Sequence, residues 1–249
     1  MSPGVEFFSR YAHAPNALGF CGPSSGVAGS EDQVRAAARR FSGAWPYLQV
    51  LARLTGIGDP LDHRLVEAYW LGRDLGVDHA RFGEELLAVI GPQAGHYWTH
   101  LTPGLLASGA PDHGFHVFGV YPWSRLLGAG PEPLHVLDSC RIRWGRVIGR
   151  DGDGIEVSSR RLTWDGAALG LGEPSVQRVE GDAEVGEHVA LHWDLLCDHL
   201  TPDQVATLEA STRRELAATN RRLAAERHLV AVGGAPDGNG VPPDRQEAP

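Results

Sequence analysis

Lysine is absent from the chain, so arginine carries all 22 basic charges against 31 acidic ones, a formal net of −9. With the abundance of Ala, Gly and Pro, this absence reflects a GC-rich genome rather than a mechanism. No excess of basic charge is present either. That argues against a general nucleic-acid binder, which needs a basic face to neutralise phosphates. One local basic cluster remains, Arg141, Arg143, Arg146 and Arg150. No apolar run approaches the roughly 20 residues of a membrane span. The opening "MSPGVEFFSRYAHAPN" lacks the basic start and apolar stretch of a signal peptide. Cysteine is scarce: Cys21, Cys140 and Cys197 are too few and too widely spaced for a disulfide framework. These absences predict a cytoplasmic protein with reduced thiols and neither a nucleic-acid nor a membrane partner.

What is present suffices for a real core: 249 residues, 42% of them hydrophobic, enough for one large domain or two small ones. Residues 1–30, rich in Gly, Pro and Ser, read as irregular. Ser30-Glu31-Asp32-Gln33 is a capping-box pattern that opens a helix. "PYLQVLARLTG" and "DPLDHRLVEAYWLGRDLG" give a second and a third helix, and Asp78 caps a fourth. "HGFHVFGVYPW" alternates and is aromatic, which favours a strand. "GAGPEP", residues 128–133, has the composition of a linker. Beyond it, "LHVLDSCRIRWGRVIG" and "GIEVSSRRLTWDG" read as strands split by an Asp-Gly-Asp-Gly turn, with "SVQRVEG" and "EHVALHWDLL" following. Four or more short strands suggest a small closed or nearly closed barrel. Thr201-Pro202-Asp203-Gln204 then caps a long last helix running to about Arg227. The expected architecture is α+β: a mostly helical domain over 1–130, a small OB-like β-barrel with a long C-terminal helix over 134–230, and a disordered tail over 231–249.

Three constellations carry potential chemistry. Cys140, read as opening a strand, and His192, read as ending the last one, become neighbours if the barrel brings first and last strands together. A thiolate and an imidazole suit Fe, Zn or Cu, but two ligands are too few for a closed structural zinc site. The same pair also reads as a buried, inert cysteine and a hydrogen-bonded histidine. Arg141 and Arg143 would favour the thiolate electrostatically. The second constellation is His96, His100, His113 and His116, with Asp112 beside them. The first two stand at i, i+4, one helical face, and the set reads either as a mononuclear metal site or as packed histidines bonded to backbone carbonyls. The third is Cys21 in "ALGFCGPSS", a loop nucleophile or ligand, or a partly buried thiol in a tight turn. Cys197, Trp45, Trp70 and Trp98 read as core or interface.

Residues 138–228 resemble the HypC/HupF family of small NiFe-hydrogenase maturation chaperones. "Cys140-Arg-Ile-Arg-Trp-Gly145-Arg-Val147" is similar to that family's opening motif, Cys-Leu-Ala-Ile-Pro-Gly-Lys-Val, in its Cys-to-Gly spacing and its central Ile. "VGEHVALHWDLLCDHLTPDQVATLEA" resembles the closing segment, where Val-Gly-Asp precedes a Val-His pair and a helix rich in Glu and Ala. Two features depart from the family: Cys140 is internal rather than N-terminal, and Trp144 stands where the motif has proline. The resemblance implies a β-barrel with a C-terminal helix. It implies a transiently held iron centre carrying cyanide and CO, with Cys140 and His192 as metal residues. It also implies a HypD-like maturation factor and the hydrogenase large subunit as partners.

The expected function is therefore an iron-centre carrier or assembly chaperone in hydrogenase maturation. The sulfur and the imidazole would lie side by side, open to a visiting iron, and the Arg-bearing strand would face a partner. The alternative is a metal-dependent enzyme centred on His96, His100 and His113, with the barrel as an interaction module. Whether the chain catalyses a reaction is left open by its sequence.

Overall fold

The computed structural model describes residues 1–19, 27–91, 101, 103–107 and 109–233. Helix α1 (Pro3–Ala17) begins with Pro at its first position, where a missing N–H costs nothing, and tolerates Pro15 in its last turn. It occupies the stretch expected to be irregular. Val5, Phe8, Tyr11 and Ala12 are fully buried, so a packed apolar stripe outweighs the weak local propensity of a segment rich in breakers.

Helices α2 (Glu31–Ala38), α3 (Trp45–Thr55), α4 (His63–Leu71) and α5 (His79–Ile90) match the four expected. The capping box forms in full: Ser30 Oγ accepts from Gln33 N and Gln33 Oε1 accepts from Ser30 N. Asp62 and Asp78 cap α4 and α5, and Gly56 and Gly72 end α3 and α4 in the left-handed region. The short α6 (Pro103–Ala107) follows.

"HGFHVFGVYPW" is not a strand. It forms a single turn, α7 (His113–Phe115), that widens into a π-helical turn over His116–Val120, closed by Tyr121 N donating to His116 O. Asp112 Oδ1 accepts from Phe115 N and starts this turn. A 3-10 turn (Pro122–Leu126) and α8 (Glu132–Cys140) come next. Cys140 thus ends a helix rather than opening a strand. Glu132 and Pro133 favour helix initiation there, and Leu137 and Cys140 bury one face.

The sheet is antiparallel throughout, in the order β3-β2-β1-β4-β5: β1 (Arg143–Asp151), β2 (Gly154–Trp164), β3 (Leu169–Glu180), β4 (His188–His192) and β5 (Leu195–Leu200). Asp151 pairs with Gly154 across the expected turn, with Gly152 at positive φ. Among the described residues no ladder joins β3 to β5, so the sheet is not closed. Its strands are unequal. β2 and β3 run 11 and 12 residues, β4 and β5 only 5 and 6, and the middle of β3 projects into solvent. β4 and β5 meet in a two-residue turn at Trp193 and Asp194, both left-handed.

The final helix α9 (Pro202–Gly233) is capped reciprocally by Thr201 and Gln204. One apolar core runs through both segments. It takes Phe8, Leu48, Tyr69 and Phe82 from the helices, Ile142, Ala190 and Cys197 from the sheet region, and Leu208 from α9. No described helix is long and apolar enough to cross a membrane.

Gly145 shows how tightly the sheet is built. A Cβ there would lie 2.3 Å from Val157 Cγ1 and 3.1 Å from Ser158 O. Gly145→Ala is expected to lower stability by about 1–3 kcal/mol, as overpacking does. Urea unfolding checks this, and an unchanged midpoint would contradict the close approach of β1 to β2.

Candidate metal centre

The end of α8 is where the distant parts of the chain converge. An α-helix leaves its last carbonyls without intrahelical partners, and α8 has no glycine cap. Two of those carbonyls are claimed from far away. His113 Nε2 donates to Cys140 O at 2.9 Å, and Trp193 N donates to Ser139 O at 2.8 Å. The first bond places the His113 turn beside Cys140, and the second places the β4–β5 turn, with His192 just before it, at the same spot.

His113, Cys140 and His192 therefore form a compact group whose candidate ligand atoms all lie within 4.8 Å of one another. All three are buried: His113 and Cys140 are 4% exposed and His192 is 1% exposed. Cys140 is not disulfide-bonded. The sulfur is thus beside the imidazole of His192, but enclosed rather than open to a visiting ion.

Each imidazole is oriented by a hydrogen bond on one nitrogen. His192 Nδ1 donates to Tyr11 O at 2.8 Å, and among the described residues its Nε2 makes no well-formed hydrogen bond. His113 donates through Nε2, so its neutral ring carries the lone pair on Nδ1, 3.2 Å from the Tyr69 hydroxyl. That hydroxyl also reaches Gly43 O at 2.8 Å, so Tyr69 retains a partner if Nδ1 turns to an ion. Metal-bound histidines are commonly fixed by such carbonyl bonds on the outer nitrogen. Burial pushes the His192 imidazole down to about 4, against the Tyr11 and Cys140 carbonyls. Burial, then the His192 and His116 rings, hold His113 well below the ordinary imidazole range. Both rings are neutral at neutral pH, the form in which an imidazole binds metal. One thiol and two neutral imidazoles fit a soft-to-borderline transition metal, with fewer protein ligands than a closed structural site requires.

The group unites one pair from the first sequence constellation with one member of the second. His116 stands one turn beyond His113, outside the three-residue group, with its ring 6.1 Å from that of His113. His96, His100, Trp98 and Cys21 lie outside the described residues. Cys197 is core in β5, its thiol pushed up by burial. Trp70 is also core, its ring 4.7 Å from that of His113. The supporting groups, Tyr69 and the carbonyls of Tyr11, Gly43 and Cys140, have no sequence signature; a backbone carbonyl carries none.

Of the four clustered arginines, the two expected beside the thiol are turned inward, while Arg146 and Arg150 on β1 are exposed. Arg141 and Arg143 are 2% and 1% exposed. Arg141 donates to Asp138 Oδ1 from Nε and Nη2, at 3.1 and 2.9 Å, and to Arg160 O. Arg143 pairs with Asp194 and lies 3.6 Å from Asp138. Burial pulls Arg141 down to about 10 despite Asp138. Asp138 and Asp194 are the ionic partners of these two guanidinium groups.

A second buried polar group supports the site from α9. Asp112 Oδ2 accepts from Ser211 Oγ at 3.0 Å and from Arg214. Glu215 is 4% exposed, and burial with the nearby Asp112 charge pushes its carboxyl up to about 8, against Arg214 and Arg222.

A family model matches residues 1–226: a family of unknown function, DUF6390. No curated protein matches the chain. No solved structure matches it either.

Two opposed pH effects follow. The histidines are depressed, so their contribution to stability is present above the ordinary imidazole pKa of about 6.5 and is lost as pH falls toward 4. Glu215 is raised, so its contribution is present at low pH and is lost as pH rises from 4.5 to about 8. Between pH 6.5 and 8 only the second effect acts. Glu215→Gln should therefore flatten the loss of stability in that window by about 1–2 kcal/mol, while leaving the acid-side loss in place. Urea unfolding at half-unit pH steps measures both, and an unchanged alkaline slope in the variant would refute the assignment.

Proposed function

We propose that this chain, which belongs to the DUF6390 family, is a metalloprotein whose function runs through one transition-metal ion bound by His113, Cys140 and His192. A single observation carries the proposal: three soft-to-borderline donors from three separate stretches converge within 4.8 Å. The two imidazoles are neutral, and each is tied by one nitrogen to a backbone carbonyl. A merely structural cluster of this size would more simply be apolar, because each buried polar group must recover its desolvation cost through partners.

The resemblance to the HypC/HupF chaperones supplies the identity of the ion and its setting. Iron suits a thiolate–imidazole donor set. Delivery to a NiFe-hydrogenase large subunit, together with a HypD-like factor, is the process we assign. The enclosure of all three ligands favours a second reading, in which the ion stays resident and the chain is a metal-dependent enzyme. In the carrier reading, release requires the His113 turn or the β4–β5 turn to move away from α8.

Anaerobic purification after co-expression with a hydrogenase maturation system tests both. The wild type should hold about one equivalent of metal, and Cys140→Ala or His192→Ala should weaken binding by about 100-fold or more, beyond what loss of a supporting group costs. Infrared bands of metal-bound CO and cyanide, lost in Cys140→Ala, are the expected result for the carrier. Stoichiometric metal without those bands would favour the resident-ion enzyme, and metal content indifferent to Cys140 would end the proposal.

A further inference from the structure

The β4–β5 turn packs over the end of α8. Trp193 and Asp194 are its two central residues, at φ of 51° and 61°. Two-residue hairpin turns favour this left-handed pair with Asn, Asp or Gly in it. Asp tolerates the conformation, but a bulky tryptophan keeps it only where its surroundings hold it. Two ties do so. Trp193 N donates to Ser139 O at 2.8 Å, and the indole packs against the cluster that contains Leu137 and Cys140, 6.3 Å from the His135 ring on α8. Asp194 Oδ1 accepts from Arg143 of β1, from Arg161 of β2 at 3.1 Å and from Gln177 of β3 at 3.3 Å. Despite these three donors the Asp194 side chain is 45% exposed. The His113 turn is built differently. It is buried from Phe115 to Val120, and Asp112 ties it to Ser211 and Arg214 of α9. β4 and β5 are the shortest strands of the sheet, and β5 is one of its edges. Exposed segments with few buried contacts open locally at lower cost than buried ones.

We propose that the Trp193–Asp194 turn is the gate of the enclosed group and that Asp194 is its latch. When the carboxylate leaves Arg143, Arg161 and Gln177, the Trp193 indole lifts from α8 and Cys140 is reached from solvent. His192 keeps its bond to Tyr11 O, so the tip of the turn moves and the imidazole stays. The His113 turn stays in place. This deepens the metal-site reading, because it gives the route by which an ion enters or leaves, yet the gate is observable with no metal present.

Alkylation of metal-free, full-length protein by iodoacetamide, resolved by peptide mass spectrometry, gives separate rates for Cys140 and Cys197. Cys197, buried in β5, reports wider unfolding. Asp194→Asn keeps a residue that tolerates the left-handed turn and removes the charge. Cys140 should then react about tenfold faster, the difference between a charge-assisted hydrogen bond and a neutral one, with Cys197 unchanged. Gln177→Ala, which leaves every charge in place, should accelerate Cys140 by a smaller factor. Ser211→Ala, which loosens the His113 turn instead, should leave Cys140 at the wild-type rate. An unchanged Cys140 rate in Asp194→Asn overturns the gate. So does a rise shared with Cys197, or a rise in Ser211→Ala as large as that in Asp194→Asn. Zinc titration of the same proteins separates this inference from the reading it deepens. Protein that binds no zinc but shows the expected alkylation pattern keeps the gate and loses the metal site; zinc binding with Cys140 indifferent to Asp194 does the reverse.

Discussion

The hydrogen bond from His113 Nε2 to the carbonyl of Cys140 is the contact on which the site depends. It solves two problems at once. A helix that ends without a glycine cap needs acceptors satisfied, and a buried imidazole needs one nitrogen occupied so that the other is defined. Because donor and acceptor belong to segments 27 residues apart, the bond also fixes how the helical part meets the sheet. The Trp193 amide, donating to the neighbouring carbonyl of Ser139, does the same for the β4–β5 turn. Trp193 is a bulky residue in the left-handed region, a conformation that persists only where its surroundings impose it. Here that conformation lies next to His192.

What could be read from the sequence was whatever a local rule decides. The capping boxes at Ser30 and Thr201, the Asp caps at residues 62 and 78, and the Asp-Gly turn at 151–154 all form, because their donors and acceptors lie within three residues of each other. Three segments were misread because tertiary packing decides them. Helix α1 is held by the burial of Phe8 and Tyr11 despite two prolines. The 113–120 stretch alternates like a strand, yet curls into a π-helical turn that sends both His113 and His116 inward. The stretch before Arg141 runs into strand β1 and was read with it, but helix α8 buries Leu137 and Cys140 together. The candidate site was legible in halves. Cys140 and His192 stood out through a family resemblance and His113 through a separate histidine cluster, and no sequence pattern joined them.

The Arg141–Asp138–Arg143 group illustrates a different limit. A run of arginines in sequence suggests a basic surface, but its first two members, Arg141 and Arg143, are desolvated against one buried carboxylate, while Arg146 and Arg150 stay exposed. Asp138 also accepts from Leu162 N and Arg161. Such pairs add little net stability, yet breaking one is costly because it strands a charge. Their effect is to fix the position of α8 against β2 and the β4–β5 turn, and hence that of Cys140.

Asp112 has two attachments: one carboxylate oxygen starts the turn that carries His113, and the other is held by Ser211 and Arg214 of α9. The C-terminal helix contributes no ligand, yet it is mechanically continuous with one. The orientation of the His113 turn is thus anchored to the far end of the chain through a single carboxylate, and the same side chain that opens the turn also ties it to α9.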